Sequence, residues 1–301
     1  MAARSLNGFV NIAKPPGITS SGVVGAVKRT VYGNKIGHAG TLDPEAAGVL
    51  PVMLGKACRL FDVLLEKEKQ YIIEIAFGAS TDTQDAQGVV LEKSNMRPSP
   101  QALQAVLPQF IGDILQTPPA FSALKIEGKP AYAYAREGKT LALQTRPAYV
   151  QSIEVIEQVS EDSYLLRVVC GKGVYMRTIC HDIGAALSCP AHMRFLLRTQ
   201  SGFFTLDTAL TLEEWQNAED KRSLLIAMDQ PLGHLPKVCI SKKYEAQALN
   251  GLWMTQFESA EEAAFSGQST RIYCEDRFLG LGRFIENAIR FQAMLWEGEE
   301  K

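Results

Sequence analysis

The sequence predicts an α+β fold, because patterns typical of strands and of amphipathic helices are interspersed along it. Residues 149–159 and 164–170 have the composition of two paired strands, and the Ile, Tyr and Phe content of 71–77 indicates another. Apolar residues at helical spacing predict a helix over 21–32. With 301 residues, the chain is long enough for one large domain and a small one.

The remaining elements of the large domain follow in chain order. A short strand is predicted over 8–13, and Lys14-Pro15-Pro16-Gly17 ends it because two prolines and a glycine force an extended turn. Thr19 or Ser20 is the predicted N-cap of the helix over 21–32. Further helices are predicted at 56–67, 99–110, 174–187, 212–216 and 222–228, and a short apolar run lies at 49–54.

A second, smaller domain is predicted at the C-terminal end. Residues 231–236 begin and end with proline and are typical of a linker. Beyond them, short strand patterns such as 271–273 and 278–284 are punctuated by glycine. The sequence therefore predicts one domain over 1–234 and a small, mostly β module over 235–301.

The composition is that of an ordinary globular protein, with 46% apolar and 21% charged residues. No apolar run approaches the length of a membrane span, and residues 1–8 are too short and too polar for a secretory signal. The six cysteines contain no C-x-x-C pair, so neither a zinc ribbon nor a redox motif is indicated. We therefore expect a cytoplasmic protein with reduced thiols and no membrane partner.

The net charge of −2 hides an uneven distribution of charge. Residues 1–60 hold seven Lys or Arg against two acids, whereas residues 201–301 hold ten against sixteen. This overall acidity argues against indiscriminate binding to nucleic acid, but it leaves room for a local basic face that positions phosphates.

One segment, 120–146, combines basic and aromatic side chains. Basic groups attract phosphates and tyrosines can stack on bases, so the segment is a candidate RNA-gripping insertion. An ordinary amphipathic hairpin with a short helix is the alternative. The basic residues are Lys125, Lys129, Arg136, Lys139 and Arg146, and the aromatic ones include Phe121, Tyr132 and Tyr134.

The loop at 37–48 is the strongest candidate for a catalytic element. Three glycines, a proline and a threonine favour a loop of fixed shape. Asp43 lies within it and is the first acid of the chain, so it follows a stretch whose only charged residues are basic. A rigid loop that presents a carboxylate near cations is suited to catalysis, although an Asx-type turn is the simpler interpretation.

Several common sites are excluded by the sequence. It has neither a phosphate-binding P-loop, nor a dinucleotide fingerprint, nor a serine-hydrolase elbow. The four histidines lack zinc-ligand spacing, and the pair His181-Asp182 has no companion. Asp82 and Asp85 could bind a metal, but a solvated turn is the better interpretation, so no metal is expected.

Five motifs follow one another along residues 8–200. They are Lys14-Pro15-Pro16-Gly17, Gly37-His38-Ala39-Gly40-Thr41-Leu42-Asp43-Pro44 with Gly48, Thr81-Asp82-Thr83 with Asp85 and Gly88, Ser122-Ala123-Leu124-Lys125, and Lys172-Gly173-Val174-Tyr175-Met176-Arg177-Thr178. Each motif alone is weak, but their order and spacing together are hard to explain by chance. With them the chain resembles the bacterial tRNA pseudouridine-55 synthase family, the TruB type, over roughly residues 8–200.

The resemblance implies a catalytic role for three residues. Asp43 matches the catalytic aspartate, Tyr71 the tyrosine that packs against the target base, and Arg177 the arginine that pairs with the aspartate. The residues alone leave simpler roles open, namely packing for Tyr71 and a structural ion pair for Arg177.

The resemblance also implies a set of RNA-binding residues. His38 matches the histidine that fills the gap left by the flipped uridine, and Leu196 matches an apolar contact of the pocket. Lys14 is expected to stabilise the catalytic loop or to contact phosphate. The other residues assigned to RNA binding are Tyr175, Lys125, Lys129, Arg136 and Arg198.

The implied activity is isomerisation of U55 in the tRNA T-loop to pseudouridine, on a mainly antiparallel mixed sheet flanked by helices. Such chemistry needs neither electron transfer nor a group carrier, so no cofactor is expected, and no obligatory protein partner either. The module at 235–301 resembles a PUA-like RNA-binding barrel loosely. Two alternatives stay open: a guide-RNA-dependent synthase on the same core, and a non-catalytic tRNA-binding protein.

Overall fold

The computed structural model describes residues 6–31, 33–122, 124–126, 128–139, 143–286 and 288–296. Among these residues, no helix is both long enough and apolar enough to span a bilayer.

The strands are β1 Gly8–Lys14, β2 Ile36–His38, β3 Ala47–Leu54, β4 Lys69–Phe77, β5 Ala79–Thr81, β6 Val90–Lys93, β7 Gly112–Gln116, β8 Lys125–Ile126, β9 Lys129–Pro130, β10 Arg146–Ser160, β11 Ser163–Cys170, β12 Ala191–Ser201, β13 Phe204–Thr205, β14 Lys237–Ile240, β15 Ser259–Ala260, β16 Thr270–Cys274, β17 Arg277–Ile285 and β18 Ala288–Met294. The helices are α1 Ser20–Lys28, α2 Phe61–Leu65, α3 Pro100–Val106, α4 Ala131–Arg136, α5 Met176–Ala186, α6 Leu212–Asn217 and α7 Glu245–Leu249.

A nine-stranded sheet forms the body of the molecule. Its main path runs β1-β3-β12-β4-β11-β10-β7, while β2 pairs with β3 and β13 pairs with β12. Only the β3–β12 pair is parallel in this sheet, and its register places Leu197 opposite Ala47. Every other pairing in the sheet is antiparallel, which confirms the predicted α+β class with a mixed, mainly antiparallel sheet.

Helices cover the two halves of this sheet with separate apolar clusters. On one half, α3 and α5 pack on β4, β10, β11 and β12 through residues such as Leu103, Ile179 and Leu166. On the other half, α1 and α6 pack on β1 and β3, with Trp215 fully buried among valines and leucines. The parallel β3–β12 pair joins the halves, and the loop before β3 meets the start of α5 through the ion pair of Asp43 with Arg177.

A second sheet of five strands, in the order β15-β14-β16-β17-β18, lies within the predicted C-terminal module. It packs on the large sheet through Leu281 and Leu295, which share an apolar cluster with Phe9. The Tyr273 hydroxyl donates a hydrogen bond to Asp229 Oδ2 at 2.8 Å across the same boundary. The boundary at 235 and the PUA-like character of this module stay predictions.

Three local predictions differ from the structure. Residues 222–228 form turns rather than a helix, because Ile226 exchanges two backbone hydrogen bonds with Phe9 of β1, at 2.9 and 2.8 Å. The predicted helix over 56–67 is divided into a 3-10 turn, Gly55–Leu60, and α2. The predicted linker contains Leu232, which is fully buried and therefore belongs to the core.

Gly48 lies opposite Arg198 in the parallel pair of strands and has no room for a side chain. Its φ is +107°, and an added Cβ would lie 2.2 Å from the carbonyl oxygen of Arg198 and 2.8 Å from its amide nitrogen. Both obstructing atoms are backbone, so no side-chain rotation can relieve the overlap. Glycine is therefore required at this position.

We expect Gly48→Ala to lower the free energy of unfolding by more than about 1 kcal/mol, because positive φ and backbone overlap act together. Urea titration followed by circular dichroism measures the change. Gly251→Ala is the control, since Gly251 has φ +73° but nothing within 4 Å of the added Cβ. Equal losses in the two variants would mean that the overlap at Gly48 is relieved elsewhere.

Candidate active site

The loop between β2 and β3 is held from below by a serine at the start of α1. The hydroxyl of Ser20 accepts a hydrogen bond from the amide of Leu42 at 2.8 Å and donates to the carbonyl of Leu42 at 2.9 Å. Thr19, not Ser20, is the N-cap, since its hydroxyl accepts from the amide of Gly22. Ser20 thereby fixes the backbone next to Asp43, a role the sequence analysis did not assign.

Lys14 lies buried beneath the same loop. Its ammonium donates to the carbonyls of Pro15, Pro44 and Ala46 at 2.9, 2.8 and 2.7 Å, and the residue is 1% exposed. All three donors are engaged with the backbone, which supports the predicted role in stabilising the loop, and a phosphate contact stays a prediction. Burial lowers the pKa of Lys14 to about 8, against the opposing effects of Glu45 and Asp43.

Asp43 is paired with Arg177 of α5. Arg177 Nε lies 3.0 Å from Asp43 Oδ2, and the arginine side chain is 6% exposed whereas the aspartate side chain is 42% exposed. The buried guanidinium therefore orients a carboxylate that still reaches solvent. The arrangement leaves Asp43 accessible to a ligand while its position is fixed from the protein side.

The two terminal nitrogens of Arg177 also have partners. Nη1 donates to the carbonyl of Thr83 at 3.1 Å and lies 3.7 Å from Asp85 Oδ2, and Nη2 donates to the carbonyl of Phe121 at 3.0 Å. Asp85 is itself held by the Thr83 hydroxyl at 2.6 Å. The sequence alone indicated a metal ligand or a turn residue at Asp85. Its place in the motif with Thr81-Asp82-Thr83 was the signal that it lies beside Arg177. No cluster suited to a metal ion occurs among the described residues.

The pKa of the Asp43 carboxyl is raised above its ordinary value. Burial is the main cause; Arg177 and Lys14 oppose it, and the negative charge of Asp85 adds to it. Arg177 lowers the pKa of Asp43 and so favours the ionised carboxylate, as expected. Its effect on this pKa is smaller than that of burial. A bound ligand that shields Asp43 from solvent would change the balance of effects on this pKa.

An apolar wall adjoins the carboxylate. Tyr71 of β4 and Leu196 of β12 are 8% and 7% exposed, and they belong to one cluster with Leu42 of the loop. Burial raises the pKa of the Tyr71 hydroxyl, whereas the nearby charge of Arg198 lowers that pKa. The tyrosine is therefore neutral and presents a fixed ring.

Arg198 is a buried side chain that supports the loop. It is 1% exposed, and its guanidinium donates to the carbonyls of Val49 and Gly40 at 2.7 and 3.1 Å. These contacts indicate a structural role, and RNA binding by Arg198 stays a prediction. The sequence could not show where the guanidinium of Arg198 points, because the two residues whose carbonyls it bonds are about 150 residues away.

His38 lies at the end of β2, half-buried, on the approach to the loop. Burial lowers the pKa of its imidazole, and the nearby charge of Arg198 lowers it further. The ring is therefore neutral at pH 7 and suited to an apolar or stacking contact.

The other predicted RNA-binding residues are spread along the insertion and α5. Tyr175 is the N-cap residue of α5 and is half-buried. Lys129 lies on the β8–β9 hairpin with a side chain 61% exposed, 3.7 Å from Glu137. The side chains of Lys125 and Arg136 lie outside the described part of the chain.

Comparison with known proteins supports one family over most of the chain. A family model described as TruB family pseudouridylate synthase, N-terminal domain, matches residues 28–176, and tRNA pseudouridylate synthase B C-terminal domain matches 177–234. The protein named tRNA pseudouridine synthase B from Alkaliphilus oremlandii is 40% identical over 280 residues, which cover 92% of this chain and 93% of that protein. The one from Clostridioides difficile is 37% identical, with 94% and 96% covered.

Solved structures show the same fold. A chain from a Cbf5-Nop10-Gar1 complex superimposes with a TM-score of 0.73 at 29% identity, covering 97% of this chain and 84% of that one. A chain from an H/ACA RNP bound to a substrate RNA containing 2'-deoxyuridine gives a TM-score of 0.74 at 26% identity, with 99% and 92% covered.

The buried ammonium of Lys14 predicts a pH dependence of stability. Because its pKa falls from 10.5 to about 8 on folding, the unfolded chain binds more protons between these pH values. The free energy of unfolding therefore contains a contribution that rises with pH across this window. In urea titrations, the free energy of unfolding of wild type minus that of Lys14→Met should increase as the pH rises from about 8 to 10.5. Lys69, whose pKa is also about 8, is present in both proteins and cancels; a constant difference would contradict the prediction.

Proposed function

The chain belongs to the TruB family of pseudouridylate synthases, and from this premise we propose that it converts U55 in the T-loop of tRNA to pseudouridine. The single observation that carries the catalytic assignment is the ion pair between half-buried Asp43 and buried Arg177 at 3.0 Å, beside the Tyr71 wall. Tritium release from uridine C5 tests this assignment.

The isomerisation breaks the bond between N1 of uracil and C1' of the ribose and forms a bond between C5 and C1'. The proton on C5 is lost and N1 gains one, so no oxidant, reductant or group carrier is consumed. Asp43 is the proposed nucleophile, and attack on the sugar or on the base are both compatible with its position. No cofactor and no metal are part of this proposal.

The neighbouring side chains have distinct proposed roles. Arg177 orients the carboxylate, and Tyr71 with Leu196 holds the detached base for recapture, which is catalysis by proximity. A stacked base must first leave the RNA, at a cost of a few kcal/mol, and neutral His38 is suited to fill the vacancy. The Asp43 side chain is 42% exposed, which supports its proposed role as the nucleophile, since a purely structural ion pair would not need a carboxylate that reaches solvent.

We propose further that the chain acts without an obligatory protein partner. The named relatives at 40% and 37% identity are tRNA pseudouridine synthases, whereas the Cbf5 chain found in a complex with Nop10 and Gar1 is 29% identical. Activity of the purified chain on an unmodified tRNA transcript supports this view. Activity that required an added guide RNA and protein partners would favour the guide-dependent alternative.

RNA contacts are proposed for the insertion at about 120–146 and for the PUA-like module at 235–301. The hairpin β8–β9 carries exposed Lys129, and exposed Lys139 follows α4 close by. Tyr134 lies beneath the Lys129 ammonium at 5.7 Å from its ring centroid. Exposed cations beside an aromatic ring suit the backbone and bases of a single-stranded loop.

The first experiment measures tritium release from a tRNA transcript labelled at uridine C5. We expect release by wild type, limited to one T-loop uridine per tRNA. Asp43→Asn, which keeps the size of the side chain, should abolish release while tRNA affinity stays within about tenfold, or about 1.4 kcal/mol. Tight binding without release by wild type would favour the non-catalytic binder; a large loss of affinity in Asp43→Asn would mean that Asp43 is structural.

The insertion predicts a salt-dependent contribution to binding. Lys129→Ala should weaken tRNA binding, and the slope of log K against log salt should become shallower by about 0.7 to 0.9 if one phosphate contact is lost. Filter binding over a range of KCl concentrations measures the slope. Exposed Lys93 on β6 is the control position, and an unchanged slope in Lys129→Ala would exclude Lys129 from the interface.

A further inference from the structure

The start of α5 departs from the usual rules for a helix N-terminus. Tyr175 occupies the N-cap, and its side chain makes no capping hydrogen bond. Ser, Thr, Asp and Asn are preferred at this position, because their short side chains satisfy the free amides of the first turn. The helix that carries Arg177 therefore lacks the local device that normally fixes such a terminus.

A residue from another strand supplies the missing contacts. The side-chain amide of Gln116 accepts a hydrogen bond from the amide of Tyr175 at 3.0 Å and donates one to its carbonyl at 3.3 Å. Gln116 is the last residue of β7, where its backbone pairs with Arg146, and it is 3% exposed. The buried Gln116 side chain thus bonds both the amide and the carbonyl of Tyr175, as the backbone of a neighbouring strand would.

The contacts continue along the chain from Gln116 into the insertion. The Thr178 hydroxyl lies 3.5 Å from the carbonyl of Thr117, and Arg177 Nη2 donates to the carbonyl of Phe121 at 3.0 Å. Pro118-Pro119 stiffens the intervening chain. The base of the insertion is therefore attached to the first turn of α5 at successive points, with Gln116 the most buried of them.

We propose that Gln116 is a positioning residue for the isomerisation: it fixes the N-terminus of α5 so that Arg177 stays in register with Asp43. Arg177 is two residues from Tyr175, and its Nε meets Asp43 at 3.0 Å, so a small shift of the helix start separates the pair. A misplacement of 1 Å can reduce a rate by about 100-fold. This inference rests on the proposed catalytic function of Asp43.

The test separates the chemical step from binding. Gln116→Met keeps the length of the side chain and removes both hydrogen bonds. We expect its single-turnover rate of tritium release to fall by about 10- to 100-fold, while the Kd for tRNA changes less than about threefold. Asn11→Leu is the matched control: Asn11 is 1% exposed, and its amide donates to Thr205 and Thr208, away from the site. It should lose stability without loss of rate.

A double-mutant cycle distinguishes positioning from general destabilisation. If Gln116 acts through Arg177, Gln116→Met should slow the Arg177→Lys enzyme much less than it slows wild type. Equal effects in the two backgrounds would overturn the inference, as would a wild-type rate in Gln116→Met. If Gln116→Met does not fold, Gln116→Asn, one methylene shorter, takes its place in the same cycle.

The two proposals fail in different ways. Absence of tritium release by wild type would overturn the proposed function and this inference with it. Release by wild type together with an unaffected rate in the Gln116 variants would overturn the inference alone.

Discussion

The loop that carries Asp43 has neither helix nor strand of its own, so its backbone carbonyls need donors from elsewhere. Two buried cations provide them: Lys14 donates to Pro44 and Ala46, and Arg198 donates to Gly40. A buried polar group without a partner costs about 1 to 3 kcal/mol, so these bonds decide the shape of the loop. The carboxylate of Asp43 depends on them for its position.

Burial and the surrounding charges act on the pKa of Asp43 in opposite directions. Burial, the largest effect, raises this pKa and Asp85 adds to it, whereas Arg177 and Lys14 lower it. Arg198 acts on a different group, because its charge helps to keep His38 neutral. The carboxyl group thus lies beside two uncharged rings, those of Tyr71 and His38.

Arg177 connects this site to the insertion. Its guanidinium bonds the loop through Asp43, the turn after β5 through Thr83, and the base of the insertion through Phe121. Three segments far apart in sequence therefore share one side chain, and the position of each affects the others. Gln116 fixes the helix end that presents it.

The sequence by itself determined the strands with clear composition, such as β4, β10 and β11, and the loop within 37–48, whose ends belong to β2 and β3, with Asp43 as the first acid of the chain. These features depend on local chemistry: β-branched and aromatic residues favour strands, and glycine with proline favours turns. The resemblance added the family, which the comparisons confirmed.

Only the tertiary structure decided the direction of the cations and the identity of β12. Lys14 and Arg198 are basic residues whose sequence context suits a phosphate contact as well as a carbonyl, and the carbonyls that they bond come from other segments. The sequence analysis assigned no element to residues 191–199, and it predicted a helix over 222–228 that pairing with β1 prevents. Long-range hydrogen bonds outweigh local propensity at such positions, because each buried donor and acceptor must find its partner wherever the fold brings it.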